Sequence, residues 1–249
     1  MNSVIYAMWL RQLKRYWRSK PRMIGSLAQP ILFLVALGFG FGPVYEKAGA
    51  GSYIQFLAPG VIAMGILFTA MFSGIEVIWD RQFGFLKETL VAPVSRSQIM
   101  IGRTLGGATV ALIQGIVVLI ICIAIGFRPA TYSHILLGIL FMMLIAILFT
   151  ALGTAIASKL EDMQAFPLII NFLIMPVFFL SGALFPLDGL PRGLKIVTMF
   201  NPLAYGVDGL RGSLGILFHF GLTTDLLVIS LVTVAILVIG SYLFTKIEI

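Results

Sequence analysis

Two carboxylates one helical turn apart, Glu76 and Asp80, stand at the end of a long apolar run, within reach of Arg81 and Arg103. Acids placed there either carry protons or hold cations in ion pairs. Proton coupling needs an acid deeper in a bundle, and no acid stands at the middle of an apolar run, so the pattern points to an ion pair at a membrane boundary. Ser181-Gly182, with His219 downstream, raises an intramembrane serine nucleophile. The full G-x-S-G pattern is missing, because Phe179 occupies its first position, and His219 lies beyond the run that holds Ser181. A bend ending a helix accounts for the same two residues. His134 and His219 are the only histidines, and neither has Cys or acid neighbours at ligand spacing, so no metal site is expected. Cys122 is the one cysteine and sits in an apolar run, which suits a small buried hydrophobe and excludes an internal disulfide. There is no G-x-x-x-x-G-K-[ST] loop, and Gly38-Phe39-Gly40-Phe41-Gly42 lacks the spacing of a dinucleotide turn. Those glycines suit close helix packing, as do Gly102 and Gly106 in a G-x-x-x-G pattern. Gln29, Gln114 and Asn171 are the other polar residues in apolar runs. Glu76, Gln114 and Asn171 are the candidates to line a pathway, with bonding to a neighbouring helix as the alternative for Asn171. No catalytic constellation remains, and the chain is expected to be no enzyme.

The composition explains this scarcity. Of 249 residues, 59% are hydrophobic and 11% charged, with a mean hydropathy of +1.05. A soluble domain carries about 25% charged residues, and this much apolar surface cannot be hidden from water in one core. A bilayer is the expected solvent. The net charge of +7 is no nucleic-acid signal, since six of 17 basic residues crowd into one acid-free segment: Arg11, Lys14, Arg15, Arg18, Lys20 and Arg22. Such clusters beside a span face the cytoplasm and its anionic lipids.

The elements that must position these residues follow from periodicity. At helical spacing, Ile5, Tyr6, Trp9, Leu13, Tyr16 and Trp17 share one face of residues 4–20, and Arg11, Lys14, Arg15 and Arg18 share the other. This reads as an amphipathic helix lying at the membrane interface, an anchor in the first instance and also a surface for a cytoplasmic partner. Pro21 suits a break before the first span. Six apolar segments of about bilayer length follow, at 23–42, 55–78, 104–127, 133–157, 165–185 and 222–245. With the N-terminus inside, twelve of the 17 basic residues fall on inner segments, so both termini are expected in the cytoplasm. Residues 79–103 form an inner loop carrying Arg81, Lys87, Arg96 and Arg103. Residues 186–221 are too apolar for a free loop and too broken by Pro and Gly for a straight span. They read as a re-entrant pair of short helices, punctuated by Asn201-Pro202, or as an amphipathic cap. One transmembrane domain over 1–249 is expected, all α.

Four patches in order carry a resemblance: Gln29-Pro30 with Leu32-Phe33 and Gly38 to Gly42; Tyr53, Leu57, Pro59 and Gly60; Gly84, Leu86, Lys87, Glu88, Leu90, Ala92-Pro93, Ser95-Arg96 and Gly102-Arg103; and Ser181-Gly182, Phe185-Pro186, Leu190-Pro191, Asn201-Pro202-Leu203, Tyr205, Asp208 and Leu210-Arg211. Over nearly its whole length the chain resembles the membrane subunits of type-2 ABC exporters, in the branch of daunorubicin-resistance and nodulation-factor export permeases. The resemblance implies six spans, an N-terminal interface helix, a coupling helix in the first cytoplasmic loop and two re-entrant helices before the last span. It implies two separate ATPase subunits that hold ATP and Mg, no cofactor on this chain, and a homodimer or a heterodimer with a homologous permease. Docking and coupling would fall to Arg81, Phe83, Gly84, Leu86, Lys87, Glu88, Leu90, Pro93 and Arg96. The hairpin would be marked by Pro186, Pro191, Asn201, Pro202, Tyr205, Asp208 and Arg211. The branch often has Arg where this loop has Lys87, which keeps the charge and loses a bidentate contact. The expected function is export of a hydrophobic or amphipathic substrate (drug, lipid or lipid-linked glycan) across a prokaryotic plasma membrane. An ATPase-independent secondary transporter or channel is the alternative.

Overall fold

The computed structural model describes residues 2–49, 51–91, 94–129, 134–160, 162–187, 189–215 and 219–246. Among these residues it is all helical, with no strand. The helices run in order α1 Asn2–Arg18, α2 Lys20–Lys47, α3 Tyr53–Ser73, α4 Ile75–Gln82, α5 Phe85–Val91, α6 Arg96–Ile125, α7 Ile135–Lys159, α8 Ala165–Phe179, α9 Arg192–Met199, α10 Pro202–Ser213 and α11 Leu222–Thr245.

Five of them are long and apolar enough to cross a membrane: α2, α3 continued by α4, α6, α7 and α11. The break before α2 comes at Ser19, not at Pro21, which sits in the first turn of the helix. A proline there forfeits no hydrogen bond, because the first turn has no partner for its N–H groups. The run expected to cross at 165–185 is helical only over Ala165–Phe179. Its 15 residues rise roughly 22 Å at 1.5 Å per residue, short of the roughly 30 Å hydrocarbon core. Gly182, with φ +75°, turns the chain out of helical geometry. The following segment is tucked into the protein, with Ser181, Ala183, Leu184 and Leu187 buried.

Helix α3 is apolar all round, as a central helix must be. Leu57, Val61, Ile62, Met64, Ile66 and Leu67 are all fully buried along it, and α2, α6 and α7 pack against it. Two close backbone approaches fix this core. A Cβ on Gly60 would lie 2.1 Å from the Ala183 carbonyl oxygen, so only glycine admits the segment after α8. At the junction of α3 and α4, a Cβ on Gly74 would lie 2.4 Å from the Gly153 carbonyl oxygen of α7. The Tyr53 hydroxyl donates to the Leu184 carbonyl at 2.8 Å and ties the start of α3 to the same segment.

Candidate functional site

The chemistry-bearing side chains gather at one end of the bundle, where α1, α4, α5 and the first turns of α2 and α6 meet. Asp80, 4% exposed, is the hub. Arg11 of α1 grips its carboxylate with two bonds, at 2.9 and 2.7 Å. Arg103 of α6, 2% exposed, donates to the same carboxylate. Arg22 of α2 donates to Glu76 at 2.5 Å, and Arg15 stands 3.7 Å from Glu76 and 3.6 Å from Asp80. Two buried acids therefore hold four guanidinium groups from three helices. Isolated buried charges would be costly, and mutual pairing is what makes them tolerable.

The expectation that Glu76 and Asp80 pair with Arg81 or Arg103 is met by Arg103 on Asp80, while the Arg81 side chain donates to the Leu160 carbonyl at 3.5 Å. The partners missed are Arg11, Arg15 and Arg22. A signal for them exists in the sequence: six bases in an acid-free run need counter-charges, and Glu76 and Asp80 are the acids at that boundary.

Helix α1 does not lie free at an interface. Its apolar face is laid along α6, where Gly102 and Gly106 open the groove. A Cβ on Gly102 would lie 2.7 Å from Met8 Cβ, and one on Gly106 would lie 2.6 Å from Gln12 Cβ. The expected close packing is therefore realised at this pair and at Gly38, against Ile54, whereas Gly40 and Gly42 face open space. Two polar bonds lock the seam. Trp9 Nε1 donates to Thr109 Oγ1 at 3.0 Å, and the Tyr16 hydroxyl donates to Gln114 Oε1 at 2.6 Å. Burial pushes the Tyr16 phenol above its ordinary pKa. Of the candidate pathway residues, Glu76 and Gln114 are thus committed to internal partners, and Asn171 is exposed on α8. Tyr6 and Trp17 stay exposed.

The loop helix α5 is joined to this hub through an aromatic ring. The Arg11 guanidinium lies 3.7 Å from the centroid of Phe85, and that of Arg15 lies 5.1 Å from the Trp79 ring. Gly84 makes the turn into α5 with φ +79°, a conformation other residues adopt only with strain. Phe83 beside it is 82% exposed, and Glu88 is exposed as well. Of the remaining expected loop residues, Pro93 and the side chains of Leu86, Lys87 and Leu90 lie outside the described part. Arg96 donates to the Thr245 carbonyl at 2.7 Å and so ties the start of α6 to the end of α11. Lys14 and Arg18 line an open cleft of about 850 Å³ with Arg11, Arg15, Pro21 and Phe85.

At the far end of the bundle the marked polar residues hold backbone. Asn201 caps α10 by accepting from Leu203 N at 3.0 Å, and its amide donates to the Val177 carbonyl at 2.6 Å. Tyr205 donates to the Met199 carbonyl at 2.9 Å. Asp208 accepts from the backbone N–H groups of His219 and Phe220 at 2.8 and 2.7 Å. Arg211 donates to the Gly182 carbonyl at 2.9 Å and lies 4.2 Å from the Phe56 ring centroid. Pro191 precedes α9, and Pro186 is exposed in the segment before it. Ser181 donates to the Phe178 carbonyl at 2.6 Å, the role of a bend. Among the described residues there is no group of three His, Cys, Asp or Glu able to hold a metal ion.

Known proteins share this sequence pattern. Residues 3–214 match the family described as ABC-2 type transporter. The chain is 32% identical over 213 residues to ycf38 of Porphyra purpurea, described as a transport permease, covering 83% of this chain and 72% of that protein. It is 29% identical over 211 residues to nodulation protein J of Rhizobium leguminosarum bv. viciae, covering 82% of this chain and 80% of that protein. Nodulation protein J of Bradyrhizobium diazoefficiens is 28% identical over 211 residues, with 82% of this chain and 79% of that protein covered.

Proposed function

This chain belongs to the ABC-2 type transporter family, and we propose that within it the chain is the membrane permease of an exporter driven by separate ATPase subunits. It is a transport subunit of an ABC system and a multi-pass membrane protein. In this reading the end that carries α1, α5 and the Asp80 hub faces the cytoplasm, with both chain termini. Two permeases, identical or homologous, stand side by side and form the pathway between them. The ATPase pair grips the loop helix α5 on each. The cargo is hydrophobic or amphipathic, in keeping with spans that carry few charges.

The observation that supports this reading is the continuity from α5 inward. Phe85 rests on the Arg11 guanidinium, and Arg11 holds Asp80, which also binds Arg103. A push on α5 therefore reaches α1 through Arg11, α6 through Asp80 and Arg103, and α2 through Arg15, Glu76 and Arg22. Packed elements with discrete contacts transmit displacement in this way. Phe83 and Glu88 remain exposed on the same loop, where a partner's groove can take them. The apolar clusters left open on α8, including Leu168 and Phe172, are where a second permease would sit.

The test is retention of an ATP-binding subunit when the tagged chain is purified from its own membranes. The reading expects a Walker-motif ATPase in stoichiometric amount and ATP-dependent vesicle transport by the complex. Transport by the purified chain alone, without ATP or an ATPase, would replace it with a secondary transporter or channel.

A further inference from the structure

We propose that Asp225 carries a proton in the folded chain, and that this neutral carboxyl lets α10 stay packed on the start of α11. Asp225 stands in the first turn of α11. It is 0% exposed, and neither Oδ1 nor Oδ2 has a hydrogen-bond partner among the described residues. A carboxylate removed from solvent and given neither a donor nor a cation is among the most costly groups to bury, and it takes up a proton instead. The packing around it is tight. A Cβ on Gly206 of α10 would lie 2.7 Å from Ile145 of α7 and 3.1 Å from Ile229, one turn beyond Asp225. Ile229 is itself fully buried.

A neighbouring acid shows which of two carboxyls holds the proton. Asp208 of α10 lies within electrostatic reach of Asp225. Both of its oxygens accept from His219 N at 2.8 Å, and one also accepts from Phe220 N at 2.7 Å. Those bonds suit a carboxylate, whereas Asp225 has no donor. Environments that differ in this way assign the proton to one acid of a pair. The other ionisable groups nearby are engaged elsewhere. Arg211 donates to the Gly182 carbonyl and lies over the Phe56 ring, and Tyr205 donates to the Met199 carbonyl. The His219 ring stands edge-on to Phe220, and His219 is the one titratable residue in the sequence from 212 to 224. Helix α7 has no titratable residue between Ile135 and Lys159 apart from Lys159 itself, at its other end. Helix α6 comes close to α11 at Gly240, where Met100 approaches, again far from Asp225 along the helix. Loss of the proton would set two carboxylates against each other across α10 and α11. In the reading above, on which this step alone rests, that end faces the outside, so the proton is exchanged with the external medium.

The experiment has two readouts on the purified full chain in a detergent without ester groups. The first is the infrared carbonyl band of a protonated carboxyl at neutral pH. The wild type should show it, Asp225→Asn should lose it, and Asp208→Asn should keep it. The second is apparent melting temperature against pH, with the wild type compared with Asp225→Asn and Asp225→Leu. The unfolded chain releases this proton near the ordinary aspartate value of about 3.9, whereas the folded chain keeps it. Folding thus takes up one proton, and its equilibrium constant falls about tenfold for each unit that the pH rises. Against either variant the wild type should lose about 3–5 °C per unit between about pH 5 and pH 7. The other ionisable groups are common to all three chains, so a fold defect in a variant displaces its curve and leaves this slope intact. A missing band, a band that follows Asp208, or a temperature difference that is flat with pH overturns the proton. Stability that follows sodium in place of pH overturns it too, since a cation would then hold the carboxylate. None of these measurements involves an ATPase, so their failure leaves the permease reading standing. A chain that keeps the proton and binds no ATPase upholds the proton and overturns that reading instead.

Discussion

Replacing Asp80 by alanine should be among the most damaging single changes in this chain. The carboxylate accepts two bonds from Arg11 and one from Arg103. The Arg11 side chain is 29% exposed and can turn to water. Arg103 cannot, being 2% exposed with Nε and Nη1 already without partners. The loss is therefore dominated by one stranded buried cation, which costs about 3–5 kcal/mol. For a chain of this length 1 kcal/mol corresponds to about 2–4 °C, so the apparent melting temperature in detergent should fall by roughly 6–20 °C. Membrane proteins often unfold irreversibly, so the assay is fluorescence-detected size exclusion after heating, at one fixed heating time. Two further variants test the cause. Arg11→Met leaves Asp80 bonded to Arg103 and should cost only about 1–3 kcal/mol, the value of bonds to a charged group. Asp80→Ala with Arg103→Met removes the stranded charge and should recover most of the loss, a coupling that distant sites would not show. A shift under about 2 °C for Asp80→Ala, or a double variant no better than the single, would refute the argument.

Gly60→Ala should fail to accumulate as a folded monodisperse protein, because its Cβ would enter the Ala183 carbonyl, whereas Gly40→Ala should behave as wild type on the same column. Gln114→Leu strands the buried Tyr16 hydroxyl, with an expected cost of about 1–3 kcal/mol, and adding Tyr16→Phe should restore much of it in the heating assay. Reporter fusions after residue 249 and in the Gly49–Ser52 stretch should report opposite sides of the membrane, and the same side for both would invert or break the topology.

Much of the architecture was legible because hydropathy and helical length are local quantities. The last helix, Leu222–Thr245, and the pair of short helices around Asn201-Pro202 could be read from apolar runs and from Pro and Gly alone. The placement of α1 was not, for a physical reason: an apolar face reads the same whether it meets lipid or another helix. Only the Gly102–Gly106 spacing hinted at the groove that receives it. The end of α8 was equally hidden, because the chain stays apolar past Phe179 while its backbone turns at Gly182, and hydropathy records side chains rather than dihedrals. The ion pairs of Arg11 and Arg22 with the two acids join residues 69 and 54 apart in sequence. Charge balance could suggest that the groups meet, but not which base takes which acid.

The central claim is that the loop of α5 is where an ATPase subunit grips this permease. Cysteine cross-linking tests it without knowledge of the cargo, because the one native cysteine, Cys122, is buried. Phe83→Cys and Glu88→Cys, each at an exposed loop position, should cross-link to the co-purifying ATPase in its membrane complex. Leu136→Cys, exposed at the start of α7 towards the opposite end of the bundle, should not. An ATPase that stays bound yet never cross-links from positions 83 and 88 would contradict the account.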